Sequence, residues 1–377
     1  MQPTPVFMDV SNLELRVRSM PPRPKAGTLF LLLVVAVALS LSSQSGYTDD
    51  ADIKPTVTLV GGLRAPEDID VFAAADSLII SGYSVAGNGD LRVFHPGSGK
   101  IDLVYAPSVQ DRHNRNEAWG ATDCPGPPRG FAPHGIHVSQ NASGTHTLLA
   151  VNHTSREAVE WFELEGTAKA VTAKWRGCVI VDEPYWINDV VMLPEGGFIA
   201  SHMMPRELAH EAFARQPNDG VESGYVIEWQ KASGWSKIAG TEGALPNGIQ
   251  VSRDGSVVYS NHYLGNQVVA VERASGLLMW EAAVEGAPDN LSMASDGSLL
   301  AVTHLESIAT IGDCLTRPDE VCSVGFVVYR LNPLTGVVSE ILRAGDQSFG
   351  GATVAVEFGD SIYFGTATGT SMGKIPK

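Results

Sequence analysis

LPNGIQVSRDGSVVYSNH, residues 245–262, opens on a polar pair, Asn247-Gly248, and runs into a short apolar strand. An Arg-Asp-Gly turn follows, and then a second apolar strand. The same pattern recurs five times. It reads APEDIDVFAAADSLIISG from Ala65, APHGIHVSQNASGTHTLLAVNH from Ala132 and YWINDVVMLPEGGFIASH from Tyr185. After the opening copy it returns as APDNLSMASDGSLLAVTH from Ala287 and GGATVAVEFGDSIYFGTA from Gly350. A third strand-like stretch, such as AVEWFEL, GYVIEWQ, QVVAVER or GFVVYRL, lies after four of the six copies.

Short strands, turn signals at their ends and little helical periodicity point to an all-β fold. The polar pairs start at Glu67, His134, Asn188, Asn247, Asp289 and Ala352, 67, 54, 59, 42 and 63 residues apart. That spacing predicts a six-bladed β-propeller with four-stranded blades, a β-sandwich being the alternative. KPTVTLV, residues 54–60, is placed to complete the last blade and close the ring. One insertion, HMMPRELAHEAFARQPNDG from His202 to Gly220, breaks the strand pattern; it reads either as a short amphipathic helix after Pro205 or as a surface loop.

The chain divides into residues 1–50, a leader, and 51–377, the propeller. In the leader, Arg16, Arg18, Arg23 and Lys25 precede an apolar run, TLFLLLVVAVALSL, and then a polar stretch. This is the order of an export signal, and cleavage and retention as a membrane anchor both stay open. The expected location is therefore periplasmic or extracellular, with membrane association through this segment left open. Four cysteines suit an exported protein. Cys314 and Cys322 look like a loop staple, which leaves Cys124 and Cys178 to pair, one of three possible connectivities. A net charge of −16 with no basic stripe repels phosphate backbones and argues against nucleic acid as a partner. Oligomeric state is not legible.

In a propeller, the innermost strand of each blade lines the central channel, so equivalent repeat positions face one axial spot. Five of the six pairs carry oxygen donors or histidine: Glu67-Asp68, His134-Gly135, Asn188-Asp189, Asn247-Gly248 and Asp289-Asn290. Turn propensity explains any one of them but explains five together poorly. Four carboxylates buried near one axis cost several kcal/mol each unless compensated, and a hard cation compensates them. Carboxylate and amide oxygens suit Ca²⁺ better than zinc. Glu67 with Asp289 and Asp68 with Asp189 balance two such ions, giving a central calcium channel.

The ordered set PED, PHGI, LLAVNH, NDV, PNGI and PDN resembles the paraoxonase/arylesterase family, within the wider gluconolactonase-like (SMP-30-like) propellers. The resemblance covers nearly all of the chain after the leader. It implies a catalytic calcium on Glu67, Asn188, Asn247, Asp289 and Asn290. It also implies a structural calcium on Asp68, Asp189 and the Ile136 carbonyl. The family's histidine pair falls on His134 and His153, which makes them the catalytic candidates, and His304 falls where the family has a histidine near the active-site mouth. Two features depart from the family. No cysteine lies near either end of the propeller to tie it shut, and the insertion after His202 lacks the aromatic-rich character of the animal enzymes.

The resemblance implies a calcium-dependent lactonase or arylesterase, with a small lactone or ester as substrate. The ion polarises the carbonyl, and His134, backed by His153, takes a proton from the attacking water. The competing reading is a non-hydrolytic propeller, a binding platform or a strictosidine-synthase-like relative, whose metal is structural only. GxSxG does not occur at a strand-to-helix turn, so no elbow offers a serine nucleophile, and SMGKIPK at the C-terminus reads as strand-end material.

Overall fold

The structure, a computed structural model, describes residues 56–377 apart from 85–86, 142, 183 and 209–220. The leader lies outside the described residues, as does most of the insertion, of which Arg206–Leu208 forms one 3-10 turn. The described residues fold as expected into six four-stranded antiparallel sheets. In five of them the strands follow chain order from the channel outward; the sixth differs only in its outermost strand. The inner strands are Pro66–Phe72, Pro133–Gln140, Ile187–Met192, Pro246–Val251, Ala287–Met293 and Ala352–Phe358, in blades 1 to 6.

Blade 6 takes its outermost strand from the start of the propeller. Thr58–Gly61 pairs antiparallel with Ser371–Pro376, Thr58 opposite Lys374 and Gly61 opposite Ser371. The closure that KPTVTLV promised is made by backbone hydrogen bonds. Such a closure completes the last blade with a strand from the other end of the propeller and so ties the ring shut.

A separate apolar cluster fills each of the six junctions between blades. Phe72 and Leu91 of blade 1 meet Leu148, Phe162 and Trp175 of blade 2. Val159 meets Val190 and Phe198 across the next junction, and Ile199 meets Ile249 and Val258 across the third. Val268 packs with Leu299, Leu300 with Phe364, and Tyr363 with Ile69 and Leu78. Both faces of a blade are thus buried, which is why its middle strands are nearly continuous runs of Val, Ile, Leu and Ala.

The cysteines pair as Cys124–Cys178 and Cys314–Cys322, each with Cα atoms 5.4 Å apart. The first ties the loop before blade 2 to that blade's outermost strand, Ala170–Ile180. The second staples the loop after a short helix, α1 (Ile308–Leu315), whose N-cap Ser307 accepts from the Thr310 N–H. Two disulfides fit an oxidising compartment. No helix among the described residues is long and apolar enough to cross a membrane.

If the hydrogen-bonded seam closes the ring, a chain starting at Leu63 should melt below one starting at Thr56. Four lost ladder positions are worth about 2–4 kcal/mol in total. Calorimetry of the two chains decides, and equal melting temperatures would show that the seam is dispensable.

Candidate functional site

In all six blades, the pairing of the inner strand with its neighbour slips at one place. The slips fall between Pro66 and Ile69, Pro133 and Ile136, and Ile187 and Val190. They recur between Pro246 and Ile249, Pro288 and Leu291, and Ala352 and Ala355. The two residues inside each slip are the polar pair. The pairs are therefore six copies of a β-bulge, a device that re-aims side chains and releases them from the ladder. In blade 6 the register corrects the sequence alignment by one residue. The equivalent pair is Thr353-Val354, not Ala352-Thr353, and the Thr353 hydroxyl donates to the Glu67 carbonyl.

The mouth of the channel is tightly packed. A Cβ on Gly135 would lie 2.6 Å from both the Cα and Oδ1 of Asp189, and one on Gly248 would lie 2.5 Å from the Asn290 Cα. Blades 2 and 4 therefore carry glycine where blades 3 and 5 carry oxygen donors. Ala65 and Leu245, which enter blades 1 and 4, hold left-handed φ angles of 34° and 58°. Each is anchored by the N–H of a tyrosine at the mouth, Tyr83 to the Ala65 carbonyl and Tyr263 to that of Leu245, both at 3.0 Å. Such backbone costs on the order of 1–3 kcal/mol and persists only where the surroundings impose it.

The structure brings Glu67, Asn188, Asn247, Asp289 and Asn290 together, and all five are buried. Asn290 Nδ2 donates to Glu67 Oε1 at 2.9 Å, and Asn247 hydrogen-bonds Asp289. Asn188 Nδ2 points to the Met203 sulfur at 3.5 Å. With their amide nitrogens so committed, the oxygens are left over. Glu67 Oε2 and the Oδ1 atoms of Asn188, Asn247 and Asn290 are buried without any hydrogen-bond partner. Each such acceptor costs about 1–3 kcal/mol. Four oxygens from four blades, without competing donors, fit a hard cation of irregular coordination. Among the described residues, no three His, Cys, Asp or Glu side chains are grouped to hold a metal by themselves. The fit rests on the three asparagines.

The second set sits beside the first and is better satisfied. Asp68 accepts from the Ile69 N–H at 2.8 Å and from the Ile136 N–H of blade 2 at 2.7 Å. Asp189 repeats this with Val190 at 2.7 Å and with Ile249 of blade 4 at 2.8 Å. Each carboxylate thus staples its blade to the next, and each oxygen keeps a second lone pair. Burial, then the nearby Asp189 and Glu67 charges, holds the Asp68 carboxyl well above the usual range. Burial pushes Asp189 to about 8, against backbone hydrogen bonds that pull it down. Asp289 is also raised, by burial and then by Glu67. These are the signs of an anionic cluster short of positive charge.

His134 and His153 meet. His134 Nδ1 lies 2.8 Å from His153 Nε2, and His134 Nε2 lies 3.4 Å from Glu67 Oε1. Tyr83 stacks on the His134 ring, centroids 5.0 Å apart. Burial alone would lower the His134 pKa, but the Glu67 carboxylate, with Asp289 and Asp189 behind it, raises it above its ordinary value. His153 is lowered, chiefly by burial, despite Glu157. His304 is 2% exposed, its Nε2 3.7 Å from Asp289 Oδ2 and its Nδ1 2.9 Å from the Tyr263 hydroxyl. It ends the second strand of blade 5, Leu299–His304.

Sequence reading missed several partners. His202 and His262 occupy the strand-end position of His153 and His304, and the endings ASH and SNH beside VNH and VTH signalled them. Burial lowers His202, His262 and His304 to about 4, so they stay neutral. Glu157 had no repeat to mark it. A cavity of about 470 Å³, lined by Asp70, His137, Asp68 and Asp189, opens at the far ends of the inner strands. None of Glu67, Asn188, Asn247, Asp289 and Asn290 lines it, whereas Asp68, Asp189 and Ile136 do, so it borders the second set and not the first.

The fold and this mouth define a six-bladed propeller with an acidic, amide-rich axial site. No protein-family model and no curated sequence matches the chain. Its structural neighbours are gluconolactonase-like propellers. One is a proposed gluconolactonase, 14% identical over 86% of this chain and 92% of its own, with a TM-score of 0.50. Another is a luciferin-regenerating enzyme, 12% identical over 86% of this chain and 95% of its own, with a TM-score of 0.51. At these identities the likeness is one of fold.

Stability should reveal the charge deficit. Asp68, Asp189 and Asp289 bind protons more tightly folded than unfolded. Their contribution to a cation-free fold is therefore full below the ordinary carboxyl value of 3.8 and is lost as pH rises through the Asp189 value of about 8. Calcium must displace those protons. The rise in Tm on adding Ca²⁺ should thus be small near about pH 5 and largest near about pH 8, with proton release in titration calorimetry. An increment independent of pH, or none at all, counts against a cation site here.

Proposed function

We propose that the protein is a calcium-dependent carboxylic ester hydrolase of the paraoxonase type, acting on lactones or aryl esters. The observation that carries this reading is the set of four orphaned oxygens beside a histidine pair. Glu67, Asn188, Asn247, Asp289 and Asn290 would hold the catalytic ion, and Asp68, Asp189 and the Ile136 carbonyl a structural one. A bound calcium supplies Lewis-acid polarisation of the substrate carbonyl.

The chain's own residues do the rest. Glu67 raises the His134 pKa only while its charge is uncompensated. With that charge neutralised, His134 relaxes toward a neutral imidazole, ready to take a proton from an attacking water. His153 holds the His134 ring from behind, and Tyr83 covers its face. Asparagine amides contribute oxygen without charge, so the site binds a divalent ion and stays close to neutral. The two disulfides and the basic-then-apolar leader support a location outside the cytosol, free or tethered by that leader.

A panel of small lactones and aryl esters, assayed with and without calcium, tests the reading. Hydrolysis should require calcium. Glu67→Gln should weaken calcium binding, whereas His134→Gln should lower kcat by about 10²-fold with calcium affinity retained. Full activity in His134→Gln removes that residue from the mechanism. A protein stabilised by calcium yet inert on the whole panel favours a binding platform.

A further inference from the structure

The histidine pair does not end at His153. Its Nδ1 lies 3.1 and 3.0 Å from the two carboxylate oxygens of Glu157. Glu157 Oε1 also accepts from the Ile187 N–H at 3.0 Å, and Oε2 is paired with the Arg206 guanidinium. Its side chain is 8% exposed, whereas that of Arg206 is 44% exposed. Arg206 therefore caps the outer end of a buried row running Glu67, His134, His153, Glu157.

The row has a direction. A carboxylate paired with arginine only accepts, so His153 must present Nδ1–H to Glu157. A neutral His153 then has a bare Nε2, which can only accept from His134, and the donor 2.8 Å away is His134 Nδ1–H. Neutral His134 is left with its lone pair on Nε2, the nitrogen that faces Glu67. We propose that Glu157 is a positioning residue that sets both tautomers and so selects His134 Nε2 as the proton acceptor. Without an acceptor at residue 157, His153 is free to turn its proton to Nε2. His134 must then carry its own proton on Nε2, facing the site, and its lone pair is spent on His153. The same carboxylate grips the backbone one residue before Asn188, so it ties the histidines to the ligand strand of blade 3.

This inference rests on the hydrolase reading for its catalytic consequence but not for the tautomers. Long-range ¹H–¹⁵N correlation spectra of the full-length, calcium-loaded protein read the tautomers directly. His134 and His153 should both show a protonated Nδ1 and a bare Nε2. Glu157→Leu should shift both rings toward the other tautomer. On any ester the protein hydrolyses, it should cost at least about tenfold in kcat with KM little changed. Glu157→Gln keeps an oxygen acceptor and should restore the tautomers and most of the rate. A bare Nδ1 on His153 in the unmutated protein overturns the proposal, even if the leucine variant fails to fold. So do unchanged tautomers in a folded Glu157→Leu. If no substrate is found, the spectra still decide the tautomers, and it is the hydrolase reading that fails.

Discussion

Buried oxygen without a donor is among the costlier things a protein can hold, and here four such atoms converge from four blades. Nothing in local chain preference asks for this arrangement. It survives because six apolar clusters and a hydrogen-bonded seam hold the ring regardless of what its axis contains. The apolar periphery lets the centre carry such acceptors, and a cation held there would satisfy them. The left-handed Ala65 and Leu245 belong to the same arrangement, strain at the mouth that the surrounding blades impose.

The geometry that gathers the oxygens is a repeated irregularity. A strand in perfect register alternates its side chains between the two faces of its blade, and both faces are filled by neighbouring blades. Polar residues in such positions would be driven into apolar clusters. The bulge frees two consecutive residues from that alternation at the channel end of each inner strand. Once they are free, space becomes limiting. Gly135 beside Asp189 and Gly248 beside Asn290 show where that limit falls: at these two junctions the backbone approaches too closely for a second side chain.

Much of this was legible in the sequence because it repeats. Six copies of one hairpin fixed the blade number, and the pairs at their starts located the axis. Residues 54–60 were legible as a closing strand because they directly precede the first polar pair, at Glu67. Reading failed where repetition failed. Blade 6 carries Thr353-Val354, with no ligand to mark its register, and the alignment slipped by one. Glu157 has no counterpart in the other blades, and its importance depends on His153 and Ile187, which only folding brings to it. His304 was found by position, but its burial against Tyr263 was not, since Tyr263 lies forty-one residues away.

The composition of the mouth follows from charge. Five carboxylates in place of Glu67, Asp289 and the three asparagines would offer a cation more attraction. They would also lie next to Asp68 and Asp189, whose pKa values burial and mutual repulsion already push upward. Further acids so placed would hold their protons at neutral pH and cease to be ligands. Amide oxygens escape that limit, because they donate lone pairs without adding to the repulsion. On the proposed reading, two carboxylates in each set would match one divalent ion each, and the asparagines would fill out the coordination shell. The same economy keeps His134 under the influence of a single adjacent carboxylate, Glu67, so that compensating one charge is enough to change what the imidazole can do.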